Sequence, residues 1–453
     1  METQRHMGRA LTFSKKIRLR ILNLYLGENF VTMQRRFAEL KRKLSGQPHT
    51  VSVFLQLDDP YSYLLSHYLQ FFAKQYEVVV KIYLAQTLGK EYTPQPGMLA
   101  EYAVRDCTLM ARELGVPFLD KGPTPVVEFR RALIDALASE HDSDNFPDII
   151  RAALAAYWRG DTEGVKRFIR HDEGSADELI AKNQRLLAAL GHYNCAMLHY
   201  AGEWYWGVDR LHYLTRRLDD LGLNRTGKAN PALASIRQAM QLNLPAAVPD
   251  KARALPPLEL FYSFRSPYAY LSLRSAFRIA SAFGLKINVR PVLPMVMRGL
   301  PVPKTKLLYI VRDAKREAAR LGVPFEKFVD SVGAGAERCI ATFFYAVGEG
   351  KGREFVLEAG NAIWNEATDV ASDEGLRMVT ERVGLFWPEV KAALGNDDWR
   401  KQCEVSREVM TELGVWGVPV FRIGDIALWG QDRDWLIARQ IEDLCHGGEG
   451  FMV

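Results

Sequence analysis

The sequence predicts an α/β protein built from two tandem domains, each with an inserted helical block. The chain has 453 residues, which is too long for one ordinary hydrophobic core and suits two domains with connections. A passage that reads as strand, sharp turn and helix occurs twice, at 54–64 and at 261–271. Each copy continues as strand, helical block, two short strands and a helix, which is an α/β arrangement with a mixed sheet.

The two copies align without gaps over a long stretch. A constant offset places 54–118 on 261–325, and the matched residues include a proline, several tyrosines and the pentapeptide Leu-Gly-Val-Pro-Phe. Near the end of each copy a larger offset places 206–210 on 429–433, so the second copy carries a longer middle. A register held over this length indicates an internal repeat.

The elements are clearest in the second copy. The Gly424-Asp425 pair predicts a hairpin turn between the last two strands. Segments rich in Ala, Leu, Glu, Lys and Arg predict the helical block, at 325–347, 354–367 and 376–394 here and at 132–157 and 175–190 in the first copy. The remaining predicted elements are strands Leu258–Ser263, Lys286–Pro291, Val418–Ile423 and Ile426–Trp429, and helices Ser266–Ala282 and Asp432–Leu444.

These patterns divide the chain into four parts. Residues 1–48 form a basic N-terminal extension, and residues 49–222 form the first domain. A proline-containing linker with one short helix at 233–242 spans 223–256. The second domain occupies 257–447.

The basic character of the protein belongs to the N-terminal extension. Residues 1–46 hold 11 Lys and Arg against three Glu, whereas the whole chain has a net charge of +5. Basic and apolar residues alternate there in a way that an amphipathic helix at a membrane or nucleic acid would also show. We favour an arm that packs on its own protein with solvated charges, and we expect no nucleic-acid partner.

Composition also bears on compartment and metals. No apolar run in the extension approaches the roughly 20 residues of a membrane span, and no secretory signal is recognisable. The five cysteines are widely spaced and form no metal-ligand group. We therefore expect reduced thiols, no metal and a cytoplasmic location.

The repeated turn is the first candidate for chemistry. Ser266 precedes Pro267 at the predicted start of a helix, and a polar side chain at a helix N-terminus makes a small site that favours an anion. In the first copy Asp59 stands at the same place.

The second copy resembles the DsbA-like thioredoxin-fold proteins, in particular the branch of 2-hydroxychromene-2-carboxylate isomerase and kappa-class glutathione transferase. The resemblance rests on 261–271, on 416–421 and on 429–433, and it extends more weakly to the first copy. It implies two tandem thioredoxin-like domains, each with a helical insertion.

The resemblance also implies a glutathione site. Ser266 falls on the residue that stabilises the thiolate, and Val418 and Pro419 fall on the cis-proline turn that pairs with the cysteinyl part of glutathione. Asp432, with Gln431 beside it, falls on the contact to the γ-glutamyl group. Lys304 or Lys306 falls on the contact to the glycyl carboxylate.

Each of these residues has a structural alternative. Ser266 and Asp432 are also good N-caps, Pro419 can simply shape a turn, and the lysines can be solvated surface. The helix-face residues Tyr309, Arg312 and Asp313 are interpreted as a network that fixes the helical block.

The first copy departs at the decisive positions. Asp59 would repel a thiolate, and Ala196 replaces the proline, which predicts a trans bond. Gly97 and Leu99 replace the lysines, while Asp209 remains as a helix cap. Cys195, near His192 and His199, could be a reactive thiol, although a small buried hydrophobe is the favoured interpretation.

We therefore expect a glutathione-dependent isomerase or transferase that acts on a small electrophilic, aromatic or unsaturated substrate, with glutathione as co-substrate. The alternative is a non-catalytic binding or scaffold protein of the same fold. A disulfide oxidoreductase is disfavoured because neither helix start carries a cysteine.

Overall fold

The computed structural model describes residues 13–118, 126–169 and 174–447. They belong to two compact units. Of the described residues, those between 32 and 241 form one unit, and 242–447 together with 13–31 form the other. Residues 223–241 of the predicted linker therefore cluster with the first unit, and the predicted extension is divided between the two.

The sheet of the first unit has four strands in the order β2-β1-β3-β4. The strands are β1 (Thr50–Leu55), β2 (Val79–Leu84), β3 (Met197–Tyr200) and β4 (Glu203–Trp206). β1 pairs parallel with β2 and antiparallel with β3, and β3 pairs antiparallel with β4. The sheet is therefore mixed, with β1 inside it.

The second unit has a four-stranded sheet with the same order of pairing, β6-β5-β7-β8. Its strands are β5 (Leu258–Tyr262), β6 (Ile287–Pro291), β7 (Val420–Ile423) and β8 (Ile426–Trp429). β5 is parallel to β6 and antiparallel to β7, which is antiparallel to β8. This half has a mixed α/β, thioredoxin-like fold, as predicted.

Helices form the rest of both units. Those up to residue 241 are α1 (Phe13–Tyr25), α2 (Glu28–Leu44), α3 (Pro60–Gln75), α4 (Pro96–Leu114), α5 (Arg130–Ser139), α6 (Phe146–Trp158), α7 (Thr162–Lys166), α8 (Asp177–Ala189), α9 (Gly207–Asp220) and α10 (Pro231–Ala239). Those that follow are α11 (Pro267–Phe283), α12 (Lys304–Leu321), α13 (Ala334–Gly348), α14 (Gly352–Trp364), α15 (Asp373–Arg382), α16 (Trp387–Ala393), α17 (Asp398–Glu412) and α18 (Asp434–Cys445).

Several predicted helices have different limits in the structure. The segment 132–157 is two helices, α5 and α6, separated by a polar turn at 140–145. The segment predicted from Phe325 begins as a helix only at Ala334, because 322–333 runs as a loop whose Ser331 hydroxyl donates to the Phe264 carbonyl. The last helix begins at Asp434, two residues later than predicted.

The central strand and first helix of each unit supply much of its core. Phe261 and Tyr262 of β5 and Phe264 of the following turn are fully buried, as is Phe54 of β1. On α11, apolar residues recur on the face toward the sheet and exclude water, as an amphipathic helix on a sheet requires. This packing fixes where β5 ends and α11 begins.

The N-terminal helix α1 packs within the second unit. Asn23 accepts from the backbone N–H of Phe328 and donates to its carbonyl, both at 3.0 Å. The Arg312 guanidinium lies 4.5 Å from the Tyr25 ring centre, and Leu26 is buried. No helix in the described part of the chain has the length and apolarity needed to cross a membrane.

Helices α11 and α12 both end in a glycine with left-handed backbone. Gly322 has φ +62°, and a Cβ built there meets no atom within 4 Å. We expect Gly322→Ala to destabilise the protein by about 1–2 kcal/mol, because the cost is backbone strain alone. The measurement is the urea midpoint followed by tryptophan fluorescence.

The matched control is Gly348→Ala. Gly348 also has open space around it, but its φ is not positive, and alanine should there be neutral or stabilising by about 0.5 kcal/mol. Equal midpoints for the two variants would contradict the assignment of strain to Gly322.

Candidate functional site

The Ser266 hydroxyl is held at the N-terminus of α11. Ser266 is the N-cap residue, with extended backbone at φ −100° and ψ 116°, and its Oγ accepts from the backbone N–H of Ala269 at 3.2 Å. Pro267 follows at the first helical position, where its fixed φ suits the helix and its missing N–H costs nothing. The hydroxyl therefore lies at the positive end of the helix dipole.

The turn before β7 lies beside this hydroxyl. The Val418–Pro419 peptide bond is cis, and the Val418 carbonyl lies 3.4 Å from Ser266 Oγ. The Pro419 carbonyl accepts from the backbone N–H of Gly430 at 3.0 Å. Since 3.4 Å is long for an O–H···O bond, the Ser266 proton is only weakly engaged and can turn to a stronger acceptor.

Two tryptophans support the cis-proline turn. The rings of Trp416 and Trp429 pack edge to face, with centres 4.8 Å apart. A Cβ on Gly417 would lie 2.2 Å from the Trp429 ring, so the backbone needs glycine there. Arg298 donates to the Trp416 carbonyl at 2.7 Å, and burial is the main cause that lowers the Arg298 pKa to about 10.

One face of α12 meets the start of α11. Tyr268 donates from its hydroxyl to the buried Asp313 carboxylate at 2.7 Å, and Arg316 pairs with the same carboxylate. The Gln431 side chain donates to Glu317 at 3.1 Å. Positions 306, 309, 313 and 317 share this face by their spacing of three and four, so Lys306 lies on the side of α12 that adjoins the site.

The structure places both candidate lysines in the first turn of α12. Lys304 is exposed at the first helical position, whereas Lys306 is half-buried. Burial lowers the pKa of Lys306 to about 8. Burial removes water from around this ammonium group, and a neighbouring carboxylate would compensate its charge.

Gln431 and Asp432 occupy a 3-10 turn, Gln431–Arg433, ahead of α18. The prediction that Asp432 caps the last helix is wrong, because the N-cap position of α18 is Arg433 and no side chain caps it. Gln431 is buried, and its Oε1 has no hydrogen-bond partner among the described residues. The Asp432 carboxylate is half-buried and lies 3.6 Å from the Arg433 guanidinium.

The equivalent turn in the first unit carries a carboxyl group in place of the serine hydroxyl. Asp59 caps α3 by accepting from the backbone N–H groups of Tyr61 and Ser62, and Ser62 Oγ donates to it at 2.7 Å. Burial raises the pKa of Asp59 to about 6. The position therefore holds an acid where the second unit holds a neutral hydroxyl.

The rest of that turn differs as well. Ala196, at the place of Pro419, has φ +54°, and Val418–Pro419 is the one cis bond within the described ranges. Cys195 is buried, and burial raises its thiol pKa well above the ordinary value, so a reactive thiolate is not supported there. Asp209 lies in the first turn of α9 and not at its N-cap, which is Trp206.

The residues of the turn could be predicted from the sequence, but part of their surroundings could not. Tyr268 and Glu317 join α11, α12 and the 3-10 turn through hydrogen bonds, and Arg298 donates to the Trp416 carbonyl. The one signal in the sequence is the spacing of three and four residues along α12, which places Tyr309 and Glu317 on the same face of that helix. Within the described residues, no group of His, Cys, Asp or Glu is arranged to hold a metal ion.

Comparisons with known proteins find similar proteins for the C-terminal part of the chain. Residues 257–442 match the family model of the DSBA-like thioredoxin domain. The chain is 24% identical to 2-hydroxychromene-2-carboxylate isomerase of Pseudomonas putida, over 42% of this chain and 95% of the relative. It is 28% identical to the enzyme of that name from Sphingobium xenophagum, over 39% of this chain and 93% of the relative.

Among solved structures, a selenomethionine 2-hydroxychromene-2-carboxylate isomerase is 24% identical, with a TM-score of 0.38, and covers 42% of this chain and 96% of its own. A cytosolic disulfide reductase DsbM from Pseudomonas aeruginosa, solved with GSH, is 19% identical with a TM-score of 0.31, over 41% of this chain and 99% of its own. Residues 257–442 are therefore similar to the DSBA-like thioredoxin domain, and they contain the four-stranded sheet beside Ser266.

Proposed function

We propose that the C-terminal domain binds glutathione at Ser266 and uses its thiolate to isomerise a small electrophilic, aromatic or unsaturated substrate. The observation that carries the proposal is the position of Ser266 Oγ, at the start of α11 and 3.4 Å from the Val418 carbonyl of the cis-proline turn. The names of the relatives, 2-hydroxychromene-2-carboxylate isomerases, favour isomerisation over transfer.

The Ser266 hydroxyl would lower the pKa of the bound thiol. A hydrogen bond to a charged acceptor is worth about 1.5–3 kcal/mol, and the helix N-terminus adds about 0.3–1 kcal/mol for an anion. Together these amount to roughly 1–3 pKa units, at 1.36 kcal/mol per unit. A thiol with an ordinary pKa of about 8.5 would then be mostly ionised at neutral pH for a shift in the upper half of this range.

In the reaction the thiolate sulfur adds to an unsaturated carbon of the substrate. The C–S bond forms while the π pair moves to the conjugated carbonyl oxygen, which leaves a carbon–carbon single bond free to rotate. Return of the pair reforms the double bond and expels the same thiolate. Glutathione is regenerated, and nothing is oxidised or reduced.

The remaining candidate residues would hold the ends of the tripeptide. The Asp432 carboxylate suits the ammonium of the γ-glutamyl group, and Lys306, with Lys304 beside it in the same turn, suits the glycyl carboxylate. Backbone groups of Val418 and Pro419 would pair with the cysteinyl residue. Gln431 can take part through Oε1, since its amide nitrogen is bound to Glu317.

We further infer that the two units arose by internal duplication and that the first has lost the thiolate site. Both sheets have the same pairing order, but Asp59 and Ala196 replace Ser266 and Pro419. The first unit would then serve binding or stability. A cytoplasmic location, which is reducing, suits the five free thiols.

The protein's own thiols are poorly suited to disulfide exchange. All five cysteines are buried and none forms a disulfide bond, and burial raises the pKa of Cys195, Cys339, Cys403 and Cys445. Exchange requires an accessible thiolate, and Ser266 stands where an attacking cysteine would be needed.

The Ser266 site is tested by calorimetric titration of glutathione. We expect saturable binding to the unmodified protein. The affinity of Ser266→Ala for glutathione should be lower by about tenfold or more, because the hydrogen bond to the thiolate is lost. Ser266→Asp should bind still more weakly although Asp59 shows that aspartate caps this turn. Asp432→Ala should also weaken binding, and Asp209→Ala is the matched control in the first unit.

S-methylglutathione separates the role of the serine from general misfolding. It has no thiolate, so Ser266→Ala should bind it about as well as the unmodified protein. Absence of saturable binding of glutathione to the unmodified protein would refute the proposal, and equal glutathione affinities for all variants would place the site elsewhere.

The lowered pKa of Lys306 predicts a pH dependence of ligand binding. As the pH rises through about 8, Lys306 loses its proton and its attraction for the glycyl carboxylate. The affinity for S-methylglutathione should therefore fall over this range in the unmodified protein and in Lys304→Gln. In Lys306→Gln the affinity should be lower at pH 7 and should not fall further as the pH rises through this range. If the same fall remained in Lys306→Gln, Lys306 would not be the group that binds the glycyl carboxylate.

The burial of the cysteines predicts slow chemistry with thiol reagents. In the native protein we expect no thiol to react rapidly with an aromatic disulfide reagent, and all five to react once denaturant is added. A fast-reacting thiol that disappears in Cys195→Ser would instead assign a reactive cysteine to the first unit.

A further inference from the structure

Helix α2 is docked by its polar side. Arg35 forms a two-point ion pair with Glu203, at 2.6 and 2.9 Å, and Arg217 binds the same carboxylate at 2.9 Å. On the same side Arg42 pairs with Glu39 at 2.6 Å and donates to the Gln47 carbonyl at 3.0 Å. Of these contacts, the Arg35–Glu203 ion pair joins α2 to β4 and shows which side of the helix faces the unit.

The opposite side of α2 is apolar and exposed. Met33, Phe37, Leu40 and Leu44 are spaced by four, three and four residues, so they form one stripe along the helix. Their side chains are 56%, 67%, 54% and 80% exposed. This apolar stripe reverses the usual arrangement, in which an amphipathic helix buries its apolar side against its own protein.

Basic residues border the apolar stripe. At 100° per residue, Arg36 and Lys43 fall on one flank and Lys41 falls on the other. All three are exposed. Lys43 lies 3.8 Å from Glu39, and within the described part of the chain Arg36 and Lys41 form no ion pair.

We propose that α2 binds the surface of a membrane that contains anionic phospholipids. A helix with an apolar side and flanking Lys or Arg lies in the plane of the interface, with its apolar residues among the acyl chains and its cations at the headgroups. At 17 residues, α2 is about 25 Å long, enough for all four apolar residues to insert together.

The charge of the basic residues beside the apolar stripe favours a membrane over a second copy of the chain as its partner. Two copies that joined their apolar stripes would bring the basic borders of both together, and like charges repel. An anionic surface meets the same cations favourably, at about a fivefold gain in affinity for each Lys or Arg near the surface.

The proposal is tested by flotation of the full-length protein with lipid vesicles. We expect binding to vesicles of phosphatidylcholine mixed with phosphatidylglycerol, much weaker binding to phosphatidylcholine alone, and loss of binding as salt is raised. Phe37→Gln combined with Leu40→Gln should weaken binding about tenfold or more, because two apolar side chains no longer insert. Arg36→Gln with Lys41→Gln should weaken it and reduce its salt dependence.

The matched control is Phe386→Gln, since Phe386 is 64% exposed at another place on the surface. It should leave vesicle binding unchanged. Circular dichroism verifies that each variant is folded, which is expected because every substituted side chain is exposed. No binding to anionic vesicles would overturn the proposal, and a concentration-dependent dimer lost in the Phe37 and Leu40 variant would assign the stripe to a second copy.

Discussion

The candidate site depends on the antiparallel pairing of β5 with β7. Phe261 pairs with Val420, so the residues that follow β5 must lie beside those that precede β7. This register brings Ser266 to the Val418–Pro419 turn although the two are far apart in sequence. Both faces of β5 are buried at its C-terminal end, where Phe261 and Tyr262 are fully buried. A slip of one residue would exchange the side chains that pack on the two faces, and the hydrophobic core therefore also maintains the site.

The first unit has the same strand pairing, and it shows that this pairing does not determine which residue caps the first helix. Phe54 pairs with Met197, and this brings Asp59 toward Ala196. Supporting bonds are alike in both units: Tyr61 donates to Asp106 at 2.8 Å and Tyr268 to Asp313 at 2.7 Å. Buried polar groups must keep their partners, whereas a half-buried cap can change from serine to aspartate and invert the preference for an anion.

Much of the frame could be predicted from the sequence because strands, turns and the repeat leave local signals. The Gly424-Asp425 turn and the strands beside it lie where the composition indicates. Helix ends were less predictable, since Asp432 has the residue type of a cap but the 3-10 turn places Arg433 at that position. The lowered pKa of Lys306 follows from tertiary burial, which no local pattern encodes.

The sequence likewise does not predict which side of α2 faces the protein. Its alternation of basic and apolar residues fits a helix that packs by either side, and hydrophobicity alone favours the apolar one. The structure shows the opposite result because Glu203 holds both Arg35 and Arg217. The Arg35–Glu203 ion pair joins the polar side of α2 to the protein, and the apolar stripe is left available to a partner that offers both acyl chains and negative charge.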